Sequence, residues 1–181
     1  FQAVVEPGVI NEEFQNMLKE KKLFYPPDPA SKGTCTLGGN FALNAGGPKA
    51  VKYGVTSNYV LNLEIVLPNG DIFWTGANTL KNSTGYNLTQ LIIGSEGTLA
   101  VITKAVVRLL PLPSEHILML VPFEKNTDAC DAVNAIMYEE IIPSSLEFME
   151  RDAVLFVRDQ NYADIPFKID QSTASYLLIE L

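Results

Sequence analysis

The chain has 181 residues, 47% of them hydrophobic and 19% charged, with a formal net charge of −8. That composition supports a buried core and excludes a disordered chain. It offers no cluster of Lys or Arg to neutralise phosphates along a strand, which excludes a nucleic-acid binder. Any anionic ligand must therefore be held mainly by backbone N–H groups.

Two cysteines, Cys35 and Cys130, stand far apart. They form no CxxC pair and read as reduced, structural thiols of the kind usually buried. No apolar run reaches the length of a membrane span, and Phe1–Val5 is no signal peptide. A soluble, cytoplasmic protein is expected. The chain opens in a strand-like run and closes in another, Ser175 to Leu181, with no polar tail beyond. Termini usually lie in loosely held segments, so an excised piece of a longer protein is expected.

In chain order, the first strand-like run ends at Glu6-Pro7-Gly8. Asn11 is placed to cap a helix with Glu12 and Glu13 in its first turn and Lys19, Lys21 and Lys22 in its last, both ends suiting the dipole. Phe14, Met17 and Leu18 mark its buried face. Tyr25 to Gly33 is a proline-bearing loop. Tyr59 to Leu67 alternates with period two, which predicts a strand whose Asn62 and Glu64 side is the wetter one. Pro68-Asn69-Gly70-Asp71 then turns the chain into Ile72–Thr75, a hairpin. Thr98 to Leu110 predicts a long strand, ended by Pro111-Leu112-Pro113, the best domain boundary. Beyond it come a strand over His116 to Val121 and a helix capped by Thr127, whose Ala129, Val133, Ile136 and Met137 share a face. A short strand over Leu146 to Met149, a helix over Arg151 to Gln160 and a strand over Tyr176 to Leu181 complete an α+β pattern.

Two glycine-bearing segments stand out. Thr36-Leu37-Gly38-Gly39-Asn40 leads to Asn44-Ala45-Gly46-Gly47 through a stretch that suits a short helix. Glycine pairs let a backbone approach a ligand closely. The helix entry at Thr36–Gly39 is expected to point free N–H groups outward at an anion. Asn40 and Asn44 are expected to share a face and offer neutral hydrogen-bonding amides. Glycines that merely cap and bend a short helix would leave the same pattern. The second segment, Gly94-Ser95-Glu96-Gly97-Thr98, joins a tight turn to a buried strand. Glu96 is the only charge between Lys81 and Lys104, and it reads either as a solvated turn carboxylate or as an acceptor beside a ligand.

Together these segments resemble the FAD-linked oxidases of the vanillyl-alcohol oxidase class, with a PCMH-type FAD-binding domain. The similarity is strongest to the 2-hydroxy-acid branch, of the glycolate oxidase flavin subunit and D-lactate dehydrogenase type. The motifs that carry it are Val5-Glu6-Pro7-Gly8-Val9, Pro27-Asp28-Pro29-Ala30-Ser31, the two halves of the Thr36–Gly47 segment, Lys52-Tyr53-Gly54, Leu67-Pro68-Asn69-Gly70, Thr84-Gly85-Tyr86 and Ile93 to Leu99, in that order. The resemblance implies an α+β fold. Residues 1–113 would be the second FAD-binding subdomain, a mixed or antiparallel sheet with helices, without the first subdomain. Residues 114–181 would begin an α+β C-terminal cap domain.

It further implies non-covalent FAD held by Pro27, Asp28, Thr36, Leu37, Gly38, Gly39, Asn40, Leu43, Asn44, Ala45, Gly46, Glu96, Gly97 and Ile102. The Thr84-Gly85-Tyr86 turn would lie near cofactor or substrate. A complete enzyme of this kind would oxidise a small 2-hydroxy acid and pass electrons to a separate acceptor, in the cytoplasm or peripherally at the membrane. No catalytic base or metal ligand is assigned here, and His116 is expected to be structural. Without the first subdomain's diphosphate contacts, the chain alone is expected to bind FAD weakly. Ala100 stands where the family usually has glycine, and Asn87 where it usually has aspartate. A non-catalytic interaction module of the same fold stays open as an alternative. So does a relative acting on an aryl alcohol, a sugar lactone or an ether lipid precursor.

Overall fold

The apolar, β-branched run before the proline pair forms one of the two central strands of a four-stranded antiparallel sheet in the order β1-β5-β3-β4. Its members are β1 (Gln2–Val5), β3 (Val60–Val66), β4 (Ile72–Trp74) and β5 (Val101–Arg108). In this computed structural model residues 1–160, 165 and 167–181 are described. They separate into two units, Phe1–Ser114 and Glu115–Leu181. Strand β5 starts after the Gly94–Thr98 turn rather than at Thr98, because Thr98 N–H turns back to Ser95 O at 3.0 Å. Ala105, Val106 and Val107 are all buried, as expected of a strand covered on both faces.

Helix α1 (Asn11–Glu20) follows β1, and β2 (Leu23–Phe24) pairs with β6 (Leu110–Pro111). Helix α2 (Leu37–Leu43), α3 (Ala50–Tyr53) and a 3-10 turn (Thr56–Asn58) precede β3, and α4 (Leu88–Ile92) precedes β5. Phe14, Leu18, Leu37 and Phe41 from the helices meet Leu63, Ile65, Ala105 and Val107 of the sheet in one core. Truncating a core aromatic such as Phe41 to Ala removes about 3–5 kcal/mol in comparable sites.

Several expectations change in this unit. The residue capping α1 is Ile10, and Asn11 is a fully buried member of the first turn. Met17 is 49% exposed, because the core stripe runs through Phe14 and Leu18 alone. The helix ends at Glu20, and Lys22 already has φ 56°, so only Lys19 lies in its last turn. Asn62 is buried. It sits opposite Val106, accepts from Gly76 N–H at 2.7 Å and donates to Asn78 Oδ1 at 2.9 Å. The chain after β4 thus covers what period two alone would assign to solvent.

The second unit is a three-stranded antiparallel sheet in the order β7-β9-β8, with β7 (Leu118–Phe123), β8 (Ser145–Glu150) and β9 (Ser175–Glu180). Among the described residues, helices α5 (Asn126–Tyr138) and α6 (Arg151–Asp159) accompany it. Ala129, Val133 and Ile136 of α5 pack on Leu177 and Ile179, while Met137 is 39% exposed and lies beside that stripe. Thr127 lies inside α5, and Lys125 occupies the cap position. Cys130, expected among the buried groups, is exposed, and Cys35 is half-buried. His116 sits on this unit's surface with Nε2 2.7 Å from Glu180 Oε1.

Candidate functional site

Thr36 leaves the α region at φ −95°, ψ 156°, and its hydroxyl accepts from Gly39 N–H at 3.2 Å. This is an ordinary Thr cap, contributing about 1 kcal/mol. The other amides of that turn are also engaged. Leu37 N–H donates to Val9 O at 2.8 Å, and Gly38 N–H donates to Pro7 O at 2.8 Å. The outward-pointing N–H groups expected at this helix entry are therefore occupied by the segment after β1. A helix terminus binds anions only through unpaired donors, so α2 offers no such site here.

Asn40 and Asn44 likewise form no shared donor face. Asn40 is buried and its Nδ2 donates to Asn11 Oδ1 at 3.2 Å. Asn44 terminates α2 in the left-handed conformation, φ 52°, ψ 48°, and its Oδ1 accepts from Ser57 N–H at 2.8 Å. Leu37 is fully buried, so its side chain belongs to the core. Leu43 is 65% exposed.

The C-terminal half of α2 receives the second glycine segment. Gly94 N–H donates to Phe41 O at 2.9 Å, and Glu96 N–H donates to Ala42 O at 3.0 Å. Carbonyls orphaned at a helix end are thereby satisfied by a turn some fifty residues on. That turn needs positive φ at Gly94 (80°), Glu96 (53°) and Gly97 (75°). For Glu96 this conformation is uncommon, and its side chain is exposed.

Docking of the turn on α2 creates a groove of about 430 Å³. Thr36, Gly38, Gly39, Gly97 and Ile102 line it, all of them expected site residues. Ala100 and Val101, inside the expected Glu96 to Ile102 stretch, line it as well, and so do Pro7, Gly8, Ala42 and Ser95, which were not named as site residues. The Pro7-Gly8 and Gly94-Ser95 pairs were visible as turn signals, but only the fold shows that they face one space. The surface is mostly backbone and small side chains, with no cationic group. Gly39 is exposed there, and a Cβ built on it would meet only Thr36 Oγ1, at 3.5 Å. Nothing in the packing requires glycine at this position.

The remaining expected residues are not among those that line the groove. Pro27 is buried and Asp28 half-buried. Asp28 pairs with Lys32 at 3.2 Å. Gly47 has φ 148°, and a Cβ there would overlap Asp28 O, so this glycine lets the proline loop close onto the chain after Ala45 and Gly46. Thr84, Gly85 and Tyr86 line a separate polar hollow of about 140 Å³ with Thr75 and Thr89. Asn87 caps α4 by accepting from Gln90 N–H at 3.0 Å, a task an aspartate performs equally.

The ordered glycine motifs on an antiparallel α+β unit agree with an FAD binding domain. The chain belongs to the FAD-linked oxidase family, whose cofactor is FAD: residues 1–76 match the FAD binding domain, and residues 112–181 match the C-terminal domain of FAD linked oxidases. Among similar proteins, glycolate oxidase subunit GlcD of Bacillus subtilis is 43% identical over 98% of this chain and 37% of its own length. A D-lactate dehydrogenase of Archaeoglobus fulgidus is 44% identical over 84% of this chain and 34% of its own. The chain thus spans little more than a third of these curated relatives. A solved alkyldihydroxyacetonephosphate synthase shares the fold with a TM-score of 0.80 at 24% identity, over 99% of this chain and 34% of that one. The Gly94–Thr98 turn lies outside both matched ranges, and its hydrogen bonds to α2 tie it to the first.

Proposed function

We propose that the groove beside α2 holds part of an FAD molecule. The complete protein, on this reading, is an FAD-dependent oxidoreductase acting on a 2-hydroxy acid of the glycolate or D-lactate type. The observation that carries the reading is the pair of hydrogen bonds from Gly94 and Glu96 to the end of α2. They turn two distant glycine segments into one lined space.

The residues fit the cofactor through close approach rather than through charge. Gly38, Gly39, Ala42, Gly97 and Ala100 present little side chain, so a flat or extended ligand can lie against the main chain. The apolar flank of Val101 and Ile102 suits the less polar portion of a dinucleotide. With the α2 amides spent internally, the diphosphate must find most of its donors elsewhere. Pro27, Asp28 and the Leu43–Gly46 segment are proposed as a second contact line beyond the end of α2. When bound, FAD supplies the two-electron acceptor for the alcohol oxidation, and this unit's part is to bind and orient it. The second unit is read as the beginning of the C-terminal cap domain. A separate electron acceptor is implied. Among the described residues no helix is long and apolar enough to cross a membrane, and a cytoplasmic or peripheral location is proposed with it.

The test is a reductive titration of the complete, flavin-loaded protein without oxygen. Glycolate or D-lactate should bleach the visible flavin band. Bleaching by an aryl alcohol or a sugar lactone, with none by any 2-hydroxy acid, would overturn the substrate class.

A further inference from the structure

Pro26-Pro27-Asp28-Pro29 carries one backbone N–H in four residues, so it cannot pair as a strand. Yet Tyr25, Pro26 and Pro27 are almost fully buried, and their carbonyls need donors. Side-chain amides of α1 supply them. Gln15 Nε2 donates to Tyr25 O at 3.1 Å and to Pro27 O at 3.0 Å. Asn11 Nδ2 donates to Pro27 O at 3.2 Å, while its Oδ1 accepts from Asn40 of α2. The opening amides of α1 hold the far side of the same loop, Asn11 N–H to Cys35 O at 3.1 Å and Glu12 N–H to Lys32 O at 3.0 Å.

We infer that Asn11 is a positioning residue for flavin binding: its buried carboxamide clamps the Pro27–Asp28 segment to α2, fixing two contact lines of the FAD site relative to each other. The inference rests on the proposed FAD reading. An amide meets this need at every pH, because position 11 must donate to one partner and accept from another. Gln15 assists from the half-exposed side.

The experiment compares FAD dissociation constants of the complete protein and its Asn11→Asp variant from about pH 8 to about pH 5. Aspartate has the same shape and keeps the bond from Asn40, but when ionised it sets an acceptor against Pro27 O. The variant should bind FAD about ten-fold more weakly at the upper pH. It should recover toward wild type as the buried acid protonates and its O–H replaces the lost donor. Glu12, Tyr25, Asp28, Lys32 and Cys35, the titratable groups of the elements packed around it, are common to both proteins. The ratio of the two constants therefore reports position 11. A ratio near one at every pH, in a folded variant, overturns the inference. If Asn11→Asp does not fold, Gln15→Met decides: weaker FAD binding supports the clamp and unchanged binding overturns it. Gly39→Val is run alongside. Loss of FAD from Gly39→Val together with normal binding by the amide variants removes the clamp alone, whereas retained FAD in Gly39→Val removes the groove reading beneath it.

Discussion

A methyl group added to Gly38 would stand 2.6 Å from Pro7 Cβ and 3.0 Å from Pro7 O, while one added to Gly39 would meet only Thr36 Oγ1 at 3.5 Å. The first glycine serves the fold, since it lets the segment after β1 reach the helix and bond to it. The second answers to no contact within the fold, which is why it is the proposed ligand-facing one. Gly38→Ala should therefore lower the melting temperature of the complete protein, because backbone atoms of Pro7 cannot yield as a flexible side-chain tip would. Gly39→Val should leave thermal stability close to wild type, since valine is no worse than glycine in a helix, and should abolish FAD retention. Flavin absorbance per protein after gel filtration, beside a melting curve, separates the two. Unchanged flavin content in Gly39→Val removes the groove as the site. Both glycines were legible in the sequence as a pair. Their opposite reasons were not, because nothing local says that Pro7 packs on one of them.

Helix α2 spans Leu37–Leu43, too short to persist by itself in water. It is held at its first turn by Thr36, Pro7 and Val9, and at its last by the Gly94 turn. Thr36→Ala removes the side-chain cap and should cost about 1 kcal/mol in the denaturant-derived stability of the first unit. It should also weaken FAD binding, since the cap helps to hold the groove wall. A loss near zero would mean that the Pro7 and Val9 bonds suffice. The element was readable from its cap residue and glycine pattern, as were the hairpin β3–β4 and strand β5. The roles given to Asn11 and Asn62 were not, for one shared reason. Each occupies a position that period or capping preference assigns to a helix end or to water, and each is buried by a distant segment that supplies its hydrogen bonds. The same holds for the α2 amides, which look free until Pro7 and Val9 arrive.

At the scale of the whole chain, the single tryptophan, Trp74, lies in the first unit, so its fluorescence follows that unit in a molecule whose two units need not unfold together. Tyr25 lies in this core, edge-on to Phe14 and Tyr59. Burial pushes its hydroxyl well above the ordinary phenol value of 10, with the Thr56 side chain opposing in part and the neighbouring Tyr59 and Cys35 adding to the rise. Tyr59 is raised too, chiefly by burial, against the pull of Arg108. A group whose folded pKa exceeds its unfolded one contributes stability that is complete below the unfolded value and is lost as pH climbs toward the folded one. The Trp74-detected urea midpoint should accordingly hold steady to about pH 9.5 and fall above about pH 10, with Tyr25 contributing at most about 1.4 kcal/mol per pH unit. Tyr25→Phe should flatten that fall without removing it, because Tyr59 remains. Identical slopes in the two proteins would show that the Tyr25 hydroxyl ionises freely in the folded state.

By itself the sequence determined the α+β class, the identity and order of most strands and helices, and the family with its FAD cofactor. These follow from local periodicity, turn chemistry and motif order, which are properties of neighbouring residues. Only the tertiary structure decided which glycines line a groove, which amides are spent and which asparagines are buried. Each of those depends on a hydrogen bond or contact between segments far apart in the chain, from Pro7 to Gly38, Asn11 to Asn40 and Phe41 to Gly94, and a polar group's free or satisfied state is fixed by the partner that reaches it.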